Sequence, residues 1–336
     1  MRRNPGEVNV LVTRKFPERG MELLKDQGFG VSVWPGEEPM TDKEFLKEAK
    51  LSTALFCTLS EKVDRSFLEE CSHIDIISQF GVGYDNIDVE AAGELGIPVC
   101  NTPDVLSDAT ADVAFALMIN VSRKMFWLHK SIARGEWKYF RPGYGLGIEL
   151  RGKTLGIFGL GRIGTEMAKR CKGAFGMEVI YHNRNRKAEA EKELGARYVS
   201  FEELLLHSDI LSVHANLTNE TEGIFDMNAF RKMKSSAIFI NTARGLMHDE
   251  NDLATALQKG IIWGAGLDVT NPEPMESDNP LLEMENVAVL PHIGSATTET
   301  RNRMSELAAS AIVSYYRGER IDNIVNPQAL DIKKRE

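Results

Sequence analysis

Cysteine is scarce in this chain, and none of it is paired. Cys57, Cys71, Cys100 and Cys171 stand far apart with no C-x-x-C spacing. That excludes a zinc ribbon or a thioredoxin-type dithiol, and isolated thiols suit a reducing compartment. Long apolar runs are missing as well: none is long enough to span a bilayer. Behind the two arginines of MRRNPGEVNV there is no apolar core of a secretory signal, so a cytoplasmic location is expected. Positive charge is not in excess, since 40 Lys and Arg face 49 Asp and Glu for a net −9. A general nucleic-acid role is thereby disfavoured, although local arginines can still hold a small anion. No metal site, repeat or low-complexity stretch stands out.

What is present is a regular alternation. A chain of 336 residues, 43% hydrophobic and 26% charged, suits a soluble protein of two domains. VNVLVT (8–13), TALFCT (53–58) and IDIISQF (74–80) read as buried strands, separated by amphipathic segments such as FPERGMELLKDQG and TDKEFLKEAK. Strand and helix alternating in this way argue for parallel βα units. Residues 107–137 then form a stretch without proline, whose only glycine is Gly135. It reads as mostly one long helix, capped by Ser107 or Asp108 and apolar on more than one face. Such a helix is either buried between domains or packed on a second subunit, and a homodimer is expected.

A second series follows, with TLGIFGLG, MEVIYH, DILSVHA, AIFINTA, GAGLDV and VAVLPH as six strand candidates. Six is the doubly wound dinucleotide-binding count. A long helix, TTETRNRMSELAASAIVSYYRGE, comes next, and the tail IDNIVNPQAL is too short for a domain of its own. The expected architecture is α/β. It has two Rossmann-like parallel-sheet domains with the cleft between them: a discontinuous, flavodoxin-like substrate domain from 1–105 and 297–336, and a dinucleotide-binding domain from 106–296.

GLGRIG (159–164) fits G-x-G-x-x-G between a strand and a helix. Gly159 permits the tight turn, Gly161 lets backbone approach a pyrophosphate, and Gly164 lets helix and strand pack closely; Arg162 and Ile163 complete the loop. A merely tight βα turn would also use these glycines, but the strand and helix around them favour the cofactor. The next strand ends in YHNRNR (181–186), where a ribose-binding carboxylate is usual. Asn183 is neutral there, and Arg184 and Arg186 offer charge-assisted bonds to a 2′-phosphate. NADP(H) is therefore expected over NAD(H), with a solvated turn as the other reading of the same arginines.

NTARG (241–245), GLDVTNPEP (266–274) and PHIGSAT (291–297), with GLGRIG and FGVGYDNID (80–88), closely resemble the D-isomer-specific 2-hydroxyacid dehydrogenases. Within that family the chain is most similar to the glyoxylate/hydroxypyruvate reductases. The resemblance spans nearly the whole chain and implies a small 2-oxo or 2-hydroxy acid substrate. It carries the catalytic set onto Arg244, Glu273 and His292. The residue chemistry agrees: a guanidinium fork suits a carboxylate and a carbonyl oxygen together. An imidazole, with a reference pKa near working pH, can supply a proton, and a carboxylate beside it orients the ring.

The resemblance also implies that Val82 and Gly83 hold the substrate carboxylate through backbone donors, and that Leu59 lines the pocket. It places Thr110 and Asp268 near the nicotinamide, and Thr242, Ala243 and Gly294 along the cofactor. Mammalian-type reductases close the pocket with a partner's tryptophan; here Trp137 is present, but Phe140 takes the selective position and lacks an indole donor. The alternatives are an NAD-linked 3-phosphoglycerate or D-lactate dehydrogenase, and, from another class, a dinucleotide-sensing corepressor.

Overall fold

The computed structural model describes residues 3–332. They form two compact units, one from the described residues of Met1–Leu106 and Ala296–Glu336, the other from Ser107–Ser295. The first holds five strands: β1 (Asn9–Val12), β2 (Gly30–Val33), β3 (Ala54–Cys57), β4 (Ile76–Gln79) and β5 (Val99–Cys100). All pair in parallel in the order β2-β1-β3-β4-β5, the flavodoxin-like arrangement.

The strands are apolar because both faces of the sheet are covered. Val10, Val12, Phe56 and Ile76 point to one face, under the helices Glu18–Asp26 and Thr298–Arg317. Leu11, Leu55, Cys57 and Ile77 point to the other. Two strands were not among the sequence candidates. Edge strand β2 is mostly exposed, so its GVSV lacks the apolar signal, and β5 has only two residues.

The long helix Thr298–Arg317 lies against Glu18–Asp26, where Gly20 sits so close to Ser305 that a side chain would collide with it. It stops at Gly318, whose φ of +76° glycine tolerates. The tail then extends the first unit's sheet edge. Val325 N–H donates to the Val99 carbonyl, Val99 N–H donates to Asn326 Oδ1 at 2.7 Å, and Ile324 bridges Cys100.

The second unit holds β6 (Thr154–Phe158), β7 (Glu178–His182), β8 (Arg197–Tyr198), β9 (Ile210–Val213), β10 (Ile238–Asn241), β11 (Gly264–Leu267) and β12 (Val287–Val289). They pair in parallel in the order β12-β11-β10-β9-β6-β7-β8. The sheet thus has seven strands where six were expected; the two-residue β8, with no apolar run of its own, is the addition.

Residues 107–137 also depart from expectation. In place of one long helix there are two, Ser107–Ser122 and Met125–Ala133, and the first starts at Ser107, putting Ser107 and Asp108 in its first turn. The break sits at Lys124, with φ +53°. The Ser122 carbonyl accepts from Ile148 N–H at 2.9 Å, while Asn120 Oδ1 accepts from Phe126 N–H at 3.2 Å. Side chain and distant backbone have replaced the i→i+4 bonds of a continuous helix. The first helix packs on β11, where any side chain at Gly264 or Gly266 would press on Val121 or Leu117.

Candidate active site

The glycine loop lies at the C-terminal end of β6, where open parallel sheets take ligands. Gly159 has φ +97°, and a Cβ there would sit 2.5 Å from the Ala215 nitrogen. A Cβ on Gly164 would sit 2.6 Å from the Gly159 carbonyl, so helix Arg162–Phe175 could not approach the loop. Around Gly161 a Cβ would meet nothing within 4 Å, which leaves its backbone open to a ligand. Gly161 is the N-cap and has no side chain to satisfy the helix's first N–H groups. This is a cradle that fits a pyrophosphate.

Asn183 follows β7 and turns its amide to the loop: Oδ1 accepts from Leu160 N–H at 2.6 Å and Nδ2 donates to the Leu160 carbonyl at 3.3 Å. The residue thus fixes the loop itself. The two arginines differ. Arg186 is bound to Glu191 through Nε at 3.1 Å and Nη2 at 2.7 Å. Among the described residues Arg184 makes no hydrogen bond or ion pair, and it is exposed.

Glu273 and His292 are brought together from two loops that follow β11 and β12. His292 Nδ1 and Glu273 Oε1 are 2.6 Å apart. Burial pushes the Glu273 carboxyl up, but the hydrogen bond and charge of His292, aided by the Arg244 guanidinium, more than offset this and leave it below the ordinary value. His292 has φ +51°, and the next two residues hold that turn: Ile293 N–H and Gly294 N–H donate to the two oxygens of Asp268 at 2.8 and 2.7 Å. Asp268 is 1% exposed and burial raises its pKa, partly countered by these donors and by His292. Thr110 closes on the same spot, since a Cβ on Gly294 would lie 3.1 Å from Asp268 Oδ2 and 3.2 Å from Thr110 Cγ2.

Arg244 stands in extended backbone after β10 and donates from Nη1 to the Ala243 carbonyl at 2.7 Å. Gly245 follows it so tightly against the Thr270 carbonyl that no other residue fits. Thr242 Oγ1 is 3.4 Å from His214 Nδ1.

In the first unit, Leu59, Val82 and Gly83 are half-buried on the loops after β3 and β4. Asn101 Nδ2 donates to the Val82 carbonyl at 2.8 Å, while the N–H groups of Val82 and Gly83 take no partner among the described residues. Trp137 and Phe140 belong to the second unit and are exposed, at 64% and 84%.

Three polar residues beside the set escaped the sequence reading. His214 is half-buried with Nε2 2.8 Å from Ser212 Oγ, and desolvation by the surrounding protein pushes its pKa down to about 3. Asn241 and His248 form a buried pair, 3.1 Å apart, next to Arg244. A lone histidine after a strand has no spacing signal; only Asn241, as the first letter of NTARG, lay within a quoted motif.

A glycine-loop nucleotide cradle and an imidazole–carboxylate pair with an arginine, all at one end of a parallel sheet, define a nicotinamide-dependent oxidoreductase. The family model described as D-isomer specific 2-hydroxyacid dehydrogenase, NAD binding domain, matches residues 115–294. Glyoxylate reductase of Thermococcus litoralis is 44% identical over 96% of this chain and 97% of its own length. The crystal structure of a glyoxylate reductase from Paecilomyes thermophila superposes with a TM-score of 0.85 at 36% identity, covering 96% of this chain and 99% of that one. An NADPH-dependent glyoxylate/hydroxypyruvate reductase from Sinorhizobium meliloti, in complex with NADP and malonate, gives 0.84 at 32% identity, covering 96% and 97%. The chain belongs to the D-isomer specific 2-hydroxyacid dehydrogenase family.

Proposed function

We propose that this protein reduces a small 2-oxo acid of the glyoxylate or hydroxypyruvate type to the D-2-hydroxy acid, with NADP(H) as the preferred cofactor. The observation that carries the reading is the 2.6 Å contact of His292 with Glu273, beside Arg244 and on the same sheet end as the open Gly161 backbone. The glycine loop, Thr110, Thr242, Ala243, Asp268 and Gly294 would hold the cofactor, with Arg184 on the 2′-phosphate. The bound nicotinamide supplies the hydride.

The rest is the work of the chain's own residues. The Arg244 fork takes the substrate carboxylate and polarises the carbonyl oxygen. In the first unit, the N–H groups of Val82 and Gly83 would serve as backbone donors to a carboxylate, with Leu59 as an apolar neighbour on the loop after β3. His292 keeps Nδ1 on Glu273, so the proton it gives to the developing hydroxyl leaves from Nε2. Glu273, held ionised, orients that ring and balances its charge.

We place the protein in the cytoplasm as a homodimer. No helix among the described residues is long and apolar enough to cross a membrane. Residues 125–146 expose Phe126, Ile132, Trp137, Phe140 and Leu146, apolar side chains that a second copy would cover. Sedimentation as a monomer at micromolar concentration would remove the dimer. The function is tested by kcat/KM for glyoxylate, hydroxypyruvate, pyruvate and 2-ketogluconate, each with NADPH and NADH. Turnover of none of them would remove the reading.

A further inference from the structure

The Arg244 loop is fixed by a buried amide whose orientation is dictated from three sides. Asn241 ends β10 and is fully buried. Its Oδ1 accepts from Ala243 N–H at 2.9 Å, and its Nδ2 donates to the Arg244 carbonyl at 2.8 Å. A backbone N–H can only donate and a carbonyl only accept, so the amide cannot be turned over. The remaining Nδ2 hydrogen faces His248 Nδ1 at 3.1 Å. Nδ1 must therefore be the acceptor, and the ring's proton sits on Nε2.

His248 is 1% exposed, and burial pushes its pKa down to about 4, which keeps the ring neutral and Nδ1 free to accept. Its Nε2 is buried with no hydrogen-bond partner. An orphaned buried N–H is costly, and an apolar side chain edge-on to Phe239, as this ring is, would avoid it. Among the described residues the ring's one polar contact is with Asn241.

We infer that His248 is a positioning residue for Arg244: through Asn241 it sets the backbone from which the guanidinium is presented to the substrate carboxylate. The inference rests on the proposed role of Arg244. A displacement of the order of 1 Å at a substrate-holding group can cost about a hundredfold in rate. His248→Leu removes the acceptor, whereas His248→Asn returns an oxygen close to the place of Nδ1.

The test uses the full chain with NADPH. Glyoxylate reduction reads kcat and KM, oxalate binding to the NADPH-loaded protein reads the carboxylate clamp without chemistry, and NADPH titration reports on the fold. For His248→Leu we expect kcat/KM to fall about ten- to a hundredfold, mostly through KM, with oxalate weakened in step. NADPH affinity should stay within about twofold, and His248→Asn should recover most of the loss. Asn241→Ala, acting on the same loop from the other side, should repeat the pattern.

Unchanged kcat/KM in His248→Leu overturns the inference. So does equal damage in His248→Asn, or a loss of NADPH binding in both His248→Leu and Asn241→Ala that matches the loss of substrate, for the pair then supports the domain as a whole. A wild-type protein that reduces no 2-oxo acid defeats the proposed function instead, and is read before any variant is made.

Discussion

After β1 the chain runs into Thr13 and Arg14; after β6 it runs into Gly159–Gly164. These are equivalent places in two parallel sheets, and they are used in opposite ways. The first unit folds polar side chains inward. Glu61 accepts from Thr13 Oγ1 at 2.8 Å, Thr58 N–H at 2.8 Å and Thr58 Oγ1 at 2.9 Å. Arg14 Nη2 lies 3.1 Å from its other oxygen, at ion-pair distance though without hydrogen-bond geometry. Asn86 ties the Thr58 and Glu61 carbonyls together. The second unit removes side chains and leaves backbone N–H groups for a ligand. A shared fold therefore does not give a shared site; the residues at the strand's end decide whether the sheet end is filled or open.

The largest effect expected from this contrast is on stability. Glu61 is 4% exposed, and Glu61→Gln would leave the Arg14 guanidinium without a counter-charge in a buried place. Breaking a buried pair on one side costs about 3 kcal/mol or more. Urea unfolding should show the first domain weakened by that order, while NADPH affinity, a property of the second unit's loop, stays the same. Cofactor binding that falls together with stability would break the comparison.

Next in size is the effect on chemistry in the second unit. His292→Ala should lower kcat by about a hundredfold or more and leave NADPH binding little changed. A near-wild-type kcat would remove His292 as the proton donor. The pair also sets an acid boundary. Because the Glu273 carboxyl is lowered from its ordinary 4.5, its contribution is fully present above that value and lost only as pH falls through the lower folded one. Stability and kcat measured down the acid range should therefore differ between wild type and Glu273→Gln above that boundary and converge as pH falls below it.

Much of this was legible in the sequence, for physical reasons that also explain the exceptions. Strands buried on both faces, such as β3 and β10, are apolar at nearly every position and stand out. The edge strand β2 and the two-residue β5 and β8 bury too little to leave a pattern. The break at Lys124 was hidden because its causes are the Asn120 side chain and Ile148, the latter more than twenty residues on, and no proline or glycine marks it. The glycine loop and the pairing of Glu273 with His292 could be read from motifs. The support of Arg244 by His248 could not, because a buried histidine looks in sequence like any other.

The smallest effect concerns the two arginines after β7, and it decides what the open loop selects. Arg184 makes no bond among the described residues, so a 2′-phosphate would find it uncommitted. Arg186 already holds Glu191 with two bonds and would have to leave them. A bond to a charged group contributes on the order of 1.5–3 kcal/mol, so Arg184→Ala should weaken NADPH by about ten- to a hundredfold and NADH hardly at all. Arg186→Ala should change NADPH by no more than about threefold, because an exposed, already paired cation has little left to give. Asn183→Asp keeps the acceptor for Leu160 N–H and gives up only the longer bond to the Leu160 carbonyl, so the loop should hold its shape. Its charge would repel the phosphate and favour the ribose hydroxyls of NADH. The measurement is kcat/KM for both cofactors with glyoxylate, in wild type and the three variants. A wild type that prefers NADH, or an Arg184→Ala variant that weakens both cofactors alike, would make these arginines a solvated turn and leave the loop without a phosphate preference.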